Sequence, residues 1–197
     1  MSAPLRPRAD DPSLAGPGIR LLLWDLQSPI NFGMLLRVAE TYRVPVGVLG
    51  ADRVLSTTAS DFACGALERV GFAAFADAAA ADAWRGKGRL IATSIDRSST
   101  ALPGFHFEAG DVIALGNEYD GLPAAIERRA DAKIVIPMAD VWTPKPRSHS
   151  PIDPRRSAPV ARDGEANLNV AIAGAIVCYA AYTRAMAEWS AGQGVFA

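Results

Sequence analysis

Five apolar runs of strand length recur along the chain: Ile19–Trp24, Val44–Gly50, Gly88–Ile95, Asp111–Gly116 and Lys133–Met138. Within them apolar residues follow one another almost without alternation, as expected of strands buried on both faces. The segments between them carry helical periodicity. From Asn31 to Arg43, Met34, Leu35, Val38 and Tyr42 return at three- and four-residue steps, with Asn31 suited to the N-cap. Leu122–Ala130 reads as a short helix with Pro123 in its first turn, and a long helix is expected over roughly 167–189. Strands alternating with helices predict an α/β fold, a mostly parallel sheet covered by helices on both faces.

Two stretches break the pattern. Residues 1–18 are rich in Pro, Gly and charge and are expected to form a flexible arm. Residues 140–166 contain five prolines, and Val141–Arg162 holds five basic residues against one acidic. A segment this long inside a domain is usually functional or disordered. The expected organisation is an arm (1–18), one domain (19–190) interrupted by the 140–166 insertion, and a tail (191–197).

Composition narrows the function classes. With 197 residues, half of them hydrophobic, the chain can bury a real core. A formal charge of −1 offers no global attraction to nucleic acid or membrane, so an RNA contact would come from local basic patches. Cys64 and Cys178 lie far apart, without CxxC or clustered histidines, so neither zinc nor a disulfide framework is expected. No signal-peptide pattern or uninterrupted membrane-length apolar segment is seen, and the expectation is a cytoplasmic protein away from membranes.

Candidate chemistry sits where an open α/β sheet binds ligands, at the carboxyl ends of strands. Three polar clusters follow apolar runs: Ser28–Glu40, Leu115–Pro123 and Glu165–Ala175. No GxGxxG follows the first strand, and GxxxxGK[ST] and GxSxG are absent from the sequence. His106 and His149 lie in no triad-like context.

Together, and in this order, the clusters resemble the three motifs of the SpoU/TrmH family of SPOUT RNA 2′-O-ribose methyltransferases. The first, N-x-G-x-x-x-R-x-A, is matched by Asn31, Gly33, Arg37 and Ala39. The second, G-x-E-x-x-G-L-P, is matched by Gly116, Glu118, Gly121, Leu122 and Pro123. The third is matched by Ile136-Pro137-Met138 and then Leu168-Asn169-Val170, with Asn167 where the family usually has serine and a longer spacer between the halves. The resemblance covers about residues 19–186 and extends to Thr58–Val70, which is similar to the family's small-residue stretch.

The resemblance implies methyl transfer from S-adenosyl-L-methionine to a ribose 2′-hydroxyl of RNA, with a C-terminal trefoil knot at the cofactor site. It implies catalytic roles for Arg37, Asn31, Glu118 and Asn169, and cofactor contacts from Thr93, Leu115, Gly116, Ile136, Asn167 and Leu168. The reading of the residues leaves two alternatives open. Arg37 lies in an apolar stripe and could simply pair with Glu118, and Asn169 could simply cap a helix. The glycines beside Glu118 are expected to let backbone approach the cofactor.

RNA contacts are expected from Arg128 and Arg129, from Arg85, Lys87 and Arg89, and from Lys145, Arg147, Arg155, Arg156 and Arg162 of the insertion, with Trp142 able to stack on a base. The long C-terminal helix is apolar on more than one face, which fits a homodimer. The favoured substrate is tRNA; ribosomal RNA, or an inactive RNA-binding role, are the alternatives.

Overall fold

The computed structural model describes residues 16–96, 98–139 and 168–192. The seven strands are β1 (Arg20–Trp24), β2 (Val46–Leu49), β3 (Ala73–Phe75), β4 (Leu90–Ser94), β5 (Thr100–Ala101), β6 (Val112–Leu115) and β7 (Ala132–Val135). The helices are α1 (Pro29–Tyr42), α2 (Thr57–Ala63), α3 (Ala66–Val70), α4 (Ala78–Arg85), α5 (Ala124–Arg129) and α6 (Val170–Ser190). The strands form one sheet in the order β3-β2-β1-β6-β4-β7-β5, and all six pairings are parallel.

The apolar runs serve both faces by alternation. Leu21, Leu23, Val46, Val48, Ile113 and Leu115 meet Phe32, Leu35, Leu36 and Ala39 of α1, Ala59 and Ala63 of α2, and Val177 and Cys178 of α6. Leu22, Leu90, Ala92, Val112 and Ala114 face Ala81 and Trp84 of α4 and Ile126 of α5. The result is a three-layer α/β/α arrangement, as the continuous apolar strands predict. Burial pushes the Cys178 thiol up to about 12, so it stays protonated.

Helix α6 is long and apolar enough to cross a membrane by length and composition, yet its inner face is spent on this core. Gly174 lets it come close: a Cβ there would lie 2.4 Å from Leu35 Cδ2 and 3.0 Å from Leu115 Cδ1. Gly33 does the same for α1 and α2, since its Cβ would sit 2.4 Å from the Ala59 carbonyl oxygen. The glycine of the first motif is therefore a helix-packing residue.

Two expectations shift. Helix α1 begins at Pro29, and its N-cap is Ser28, whose Oγ accepts from Asn31 N–H at 3.3 Å. Asn31 is thus freed from capping. Strand β7 ends at Val135, so Ile136-Pro137-Met138 lies in the loop beyond it. The 140–166 insertion, nearly all of the 1–18 arm and residues 193–197 of the tail lie outside the described residues.

Candidate active site

The carboxyl ends of β1, β6, β4 and β7 form a rim at which neighbouring strands part. Strands β1 and β6 stay paired to Leu23–Leu115, and β4 and β7 to Ser94–Val135. Pairing of β4 with β6 stops earlier, at Ala92–Ala114. Thr93 Oγ1 donates to the Ala114 carbonyl at 2.9 Å, in place of the next ladder bond. The sheet therefore opens between β6 and β4, close to where the chain's strand order reverses, the kind of place where open α/β sheets bind ligands.

Glu118 stands on this rim. Its Oε2 accepts from Gln27 N–H at 2.9 Å, and its Oε1 from Ser28 N–H at 3.1 Å and from Asn31 Nδ2 at 2.8 Å. The carboxylate thus sits at the positive end of α1, where N–H groups have no helical acceptor. Asn31 is 6% exposed, one of few buried polar residues. With its Nδ2 committed to Glu118, its Oδ1 accepts from Asn169 Nδ2 at 3.1 Å. Asn169 Oδ1 in turn accepts from Ala171 N–H at 2.9 Å and Ile172 N–H at 3.3 Å, capping α6. One relay, Glu118–Asn31–Asn169, joins the three motif segments and pins two helix N-termini. Capping by Asn169 and membership of the cluster coexist, because its oxygen does one and its amide nitrogen the other.

The loop carrying Glu118 is held mainly by itself. Asn117 and Gly121 exchange backbone hydrogen bonds at 3.2 and 3.1 Å, and Asn117 Oδ1 accepts from the N–H groups of Tyr119 and Asp120. Gly121 has φ +70°. At Gly116 a Cβ would lie 2.1 Å from the carbonyl carbon of Gly121. Closure of this loop by itself requires glycine at both positions that bracket Glu118.

Arg37 is placed elsewhere, and the Arg37–Glu118 ion pair considered from the sequence is not formed. Arg37 is exposed on the flank of α1 that meets α2, one turn beyond Gly33. Leu115 is 1% exposed with its side chain in the core, so only its main chain faces the rim. Ile136 is half-buried beyond the end of β7, and Leu168 is half-buried immediately before Asn169. Asn167, Lys145, Arg147, Arg155 and Arg156 lie outside the described residues.

The remaining basic candidates cluster at the opposite edge. Arg128 and Arg129 end α5, just before β7 begins, and Arg129 pairs with Asp82. Arg85 approaches Asp131 and Asp82, and Arg89 is bound to Asp111 and Glu108. Most of this positive charge is spent on local carboxylates. Sequence reasoning missed Gln27 and Ser28, whose backbone N–H groups hold Glu118; no side-chain pattern signals a role played by main chain. A groove of about 510 Å³ between Leu102–Phe107 and the second half of α6 lies away from this rim. Among the described residues no group of His, Cys, Asp and Glu is disposed to hold a metal ion.

The fold and the rim define an open parallel α/β protein whose polar clusters gather at the carboxyl ends of its strands. Residues 18–143 match the SpoU rRNA Methylase family, and the chain belongs to that family. It is 30% identical over 146 residues to a tRNA (cytidine(34)-2′-O)-methyltransferase of Ancylobacter novellus, spanning 74% of this chain and 73% of the relative. A protein of the same name from Beijerinckia indica subsp. indica is 28% identical over 125 residues, 60% of this chain and 76% of its own. Among solved structures, one described as giving insights into the 2-OH methylation of C/U34 on tRNA aligns with a TM-score of 0.68 and 24% identity, over 87% of this chain and 99% of its own. The A. aeolicus TrmH/SpoU tRNA modifying enzyme aligns with a TM-score of 0.66 and 18% identity, over 91% of this chain and 79% of its own.

Proposed function

We propose that this protein transfers a methyl group from S-adenosyl-L-methionine to the 2′-hydroxyl of a ribose in tRNA, and that the ribose is that of a pyrimidine at position 34. The observation that carries the reading is the Glu118–Asn31–Asn169 relay, which joins the carboxyl ends of β1 and β6 to the start of α6. Two relatives named as tRNA (cytidine(34)-2′-O)-methyltransferases support tRNA and position 34, and the similar structure described for C/U34 extends the base to either pyrimidine.

The rim suits the cofactor. The opening offers main chain at Leu115 and Gly116, while Ile95 and Met138, both exposed, supply apolar walls for a nucleoside. Thr93, Leu115, Gly116, Ile136 and Leu168 would hold the group, with Asn167 as a further candidate. When bound, the cofactor supplies an electrophilic methyl group. Glu118 and Asn31 fix the β1–α1 turn, and Asn169 fixes the start of α6, so that the walls keep their spacing without reorganisation. Glu118 acts here as a positioning residue. Arg37 would orient and polarise the RNA through its hydrogen-bond donors.

The reading includes a C-terminal trefoil knot around the cofactor site, supported by the insertion of β6 between β1 and β4 and by the family. It also includes a cytoplasmic homodimer. Ile172, Tyr179 and Trp189 of α6 and Met34 of α1 are large apolar residues left exposed, which supports a partner on these helices.

The test uses methyl-labelled S-adenosyl-L-methionine with separate tRNA and ribosomal RNA pools, followed by nucleoside analysis. Label as 2′-O-methylated cytidine or uridine in tRNA is expected. Label confined to ribosomal RNA, or transfer to a base, overturns the reading.

A further inference from the structure

Substrate RNA needs positive charge where the chemistry occurs, yet most basic side chains at the far edge are paired. Among the described residues, Arg53 is the one arginine or lysine in the loops leaving the carboxyl ends of the strands. It closes the 3-10 turn Ala51–Arg53 that follows β2, directly before the chain enters α2.

Its partner is Asp25, the first residue after β1. Arg53 Nη1 lies 3.0 Å from Asp25 Oδ1 and 3.2 Å from Oδ2, so one nitrogen is clamped between both oxygens. The side chain remains 56% exposed, and Nε and Nη2 make no hydrogen bond among the described residues. Asp25 is held in an unusual state to do this. Its φ is +52°, rare for a residue with a Cβ. The backbone is locked by Asp25 N–H donating to the Leu49 carbonyl at 3.1 Å, and by Gln27 Nε2 donating to the Asp25 carbonyl at 2.8 Å. Gly50 makes room: a Cβ there would lie 2.8 Å from Asp25 Oδ1. Strain of this kind persists where its surroundings over-determine it, and it concentrates at functional sites.

We infer that Arg53 is an RNA-backbone contact: clamped on one edge by Asp25, it presents its other edge to a phosphodiester of the substrate at the catalytic rim. A guanidinium already tethered through one nitrogen meets a phosphate with less further loss of freedom than an untethered one. Asp25 offsets part of the charge, so what it contributes is orientation. The tether also ties Arg53 to the reacting face, because Gln27, which braces Asp25, donates its own N–H to Glu118. This inference rests on the proposal that the substrate is tRNA.

The experiment measures tRNA affinity against salt concentration for wild type, Arg53→Gln and Arg53→Lys, with cofactor affinity and tRNA KM alongside. Loss of one phosphate contact lowers the slope of log K against log salt by about 1. For Arg53→Gln we expect that change, affinity weaker by about fivefold to tenfold at low salt, a raised KM and unaltered cofactor affinity. Arg53→Lys should restore the slope, as it keeps the charge. An unchanged slope, or equal losses of cofactor and RNA binding, overturns the inference. Absence of methyl transfer by wild type would instead refute the functional reading, while the binding slopes would still decide on Arg53.

Discussion

Glu118 and Asn31, 87 positions apart in sequence, meet at 2.8 Å, and the carboxylate also holds the N–H groups of Gln27 and Ser28. Every contact made by this acid is to a donor. A carboxamide in its place offers one oxygen and must turn its own NH2 toward a donor. Glu118→Gln should therefore cost about 2 kcal/mol, which is roughly 4–8 °C in Tm for a chain of this size. Thermal unfolding checks this, and an unaltered Tm would mean that the β1–α1 turn holds itself without the carboxylate.

Asn169 allows its two duties to be separated. Its oxygen caps α6, and its amide nitrogen reaches Asn31. Serine is an equally good N-cap but is too short to hold the relay. Asn169→Ser should keep Tm within about 2 °C while methyl transfer falls at least about tenfold through lost positioning. Comparing kcat with the melting curve tests it. If activity is retained, Asn169 is a capping residue and nothing more.

Gly33 belongs to the motif but does its work in the helix layer. A Cβ there would strike the Ala59 carbonyl oxygen, and α2 would have to shift. Gly33→Ala should destabilise by about 1–3 kcal/mol, the usual cost of overpacking. Gly104→Ala is the control, since nothing lies within 4 Å of a Cβ at that position. Denaturant unfolding of both variants should separate them; equal midpoints would show that α1 and α2 tolerate a wider spacing.

Cys64 and Cys178 differ in the same testable way. Cys178 is fully buried with its thiol pushed up to about 12, whereas Cys64 is exposed. A folded sample at pH 8 should take up one alkylating group, at Cys64, and an unfolded sample two. Rapid labelling of Cys178 in the folded protein would show that the α6 face opens readily.

The strands and the long helices were legible because their apolar residues run on without alternation or return every third and fourth position. Strand β3, only Ala73–Phe75 and half exposed, and the small helices α2 and α3 carry too few apolar residues for a pattern. The resemblance singled out Asn31, Glu118 and Asn169 among its candidates, and the structure brings these three together. How they connect was not legible. Asn31 reads as an N-cap until Ser28 is seen capping α1, and Arg37 reads as the partner of Glu118 until the helix turns it away. The basic residues of α5 look available in sequence, but helix length carries them to the far edge, where Asp82 takes up Arg129.

Arg37 stands apart from Glu118, so the proposed role for it has to be exercised on the RNA. Six residues separate it from Asn31, about 240° around the helix at 3.6 residues per turn, and it is exposed. Among the described residues its side chain makes no hydrogen bond or ion pair, and its attraction to Glu40 acts across an exposed surface, so Arg37→Ala should shift Tm by no more than about 2 °C. It also leaves Thr93, Leu115 and Gly116 untouched, and cofactor affinity measured by calorimetry should not change. If Arg37 orients and polarises the RNA hydroxyl, methyl transfer should nonetheless fall by about 10²–10⁴-fold, the range for a positioned group acting on a reacting proton. Retained transfer would remove Arg37 from the mechanism. Equal losses of transfer and cofactor affinity would place it at the pocket wall, in an arrangement other than the one this chain adopts by itself.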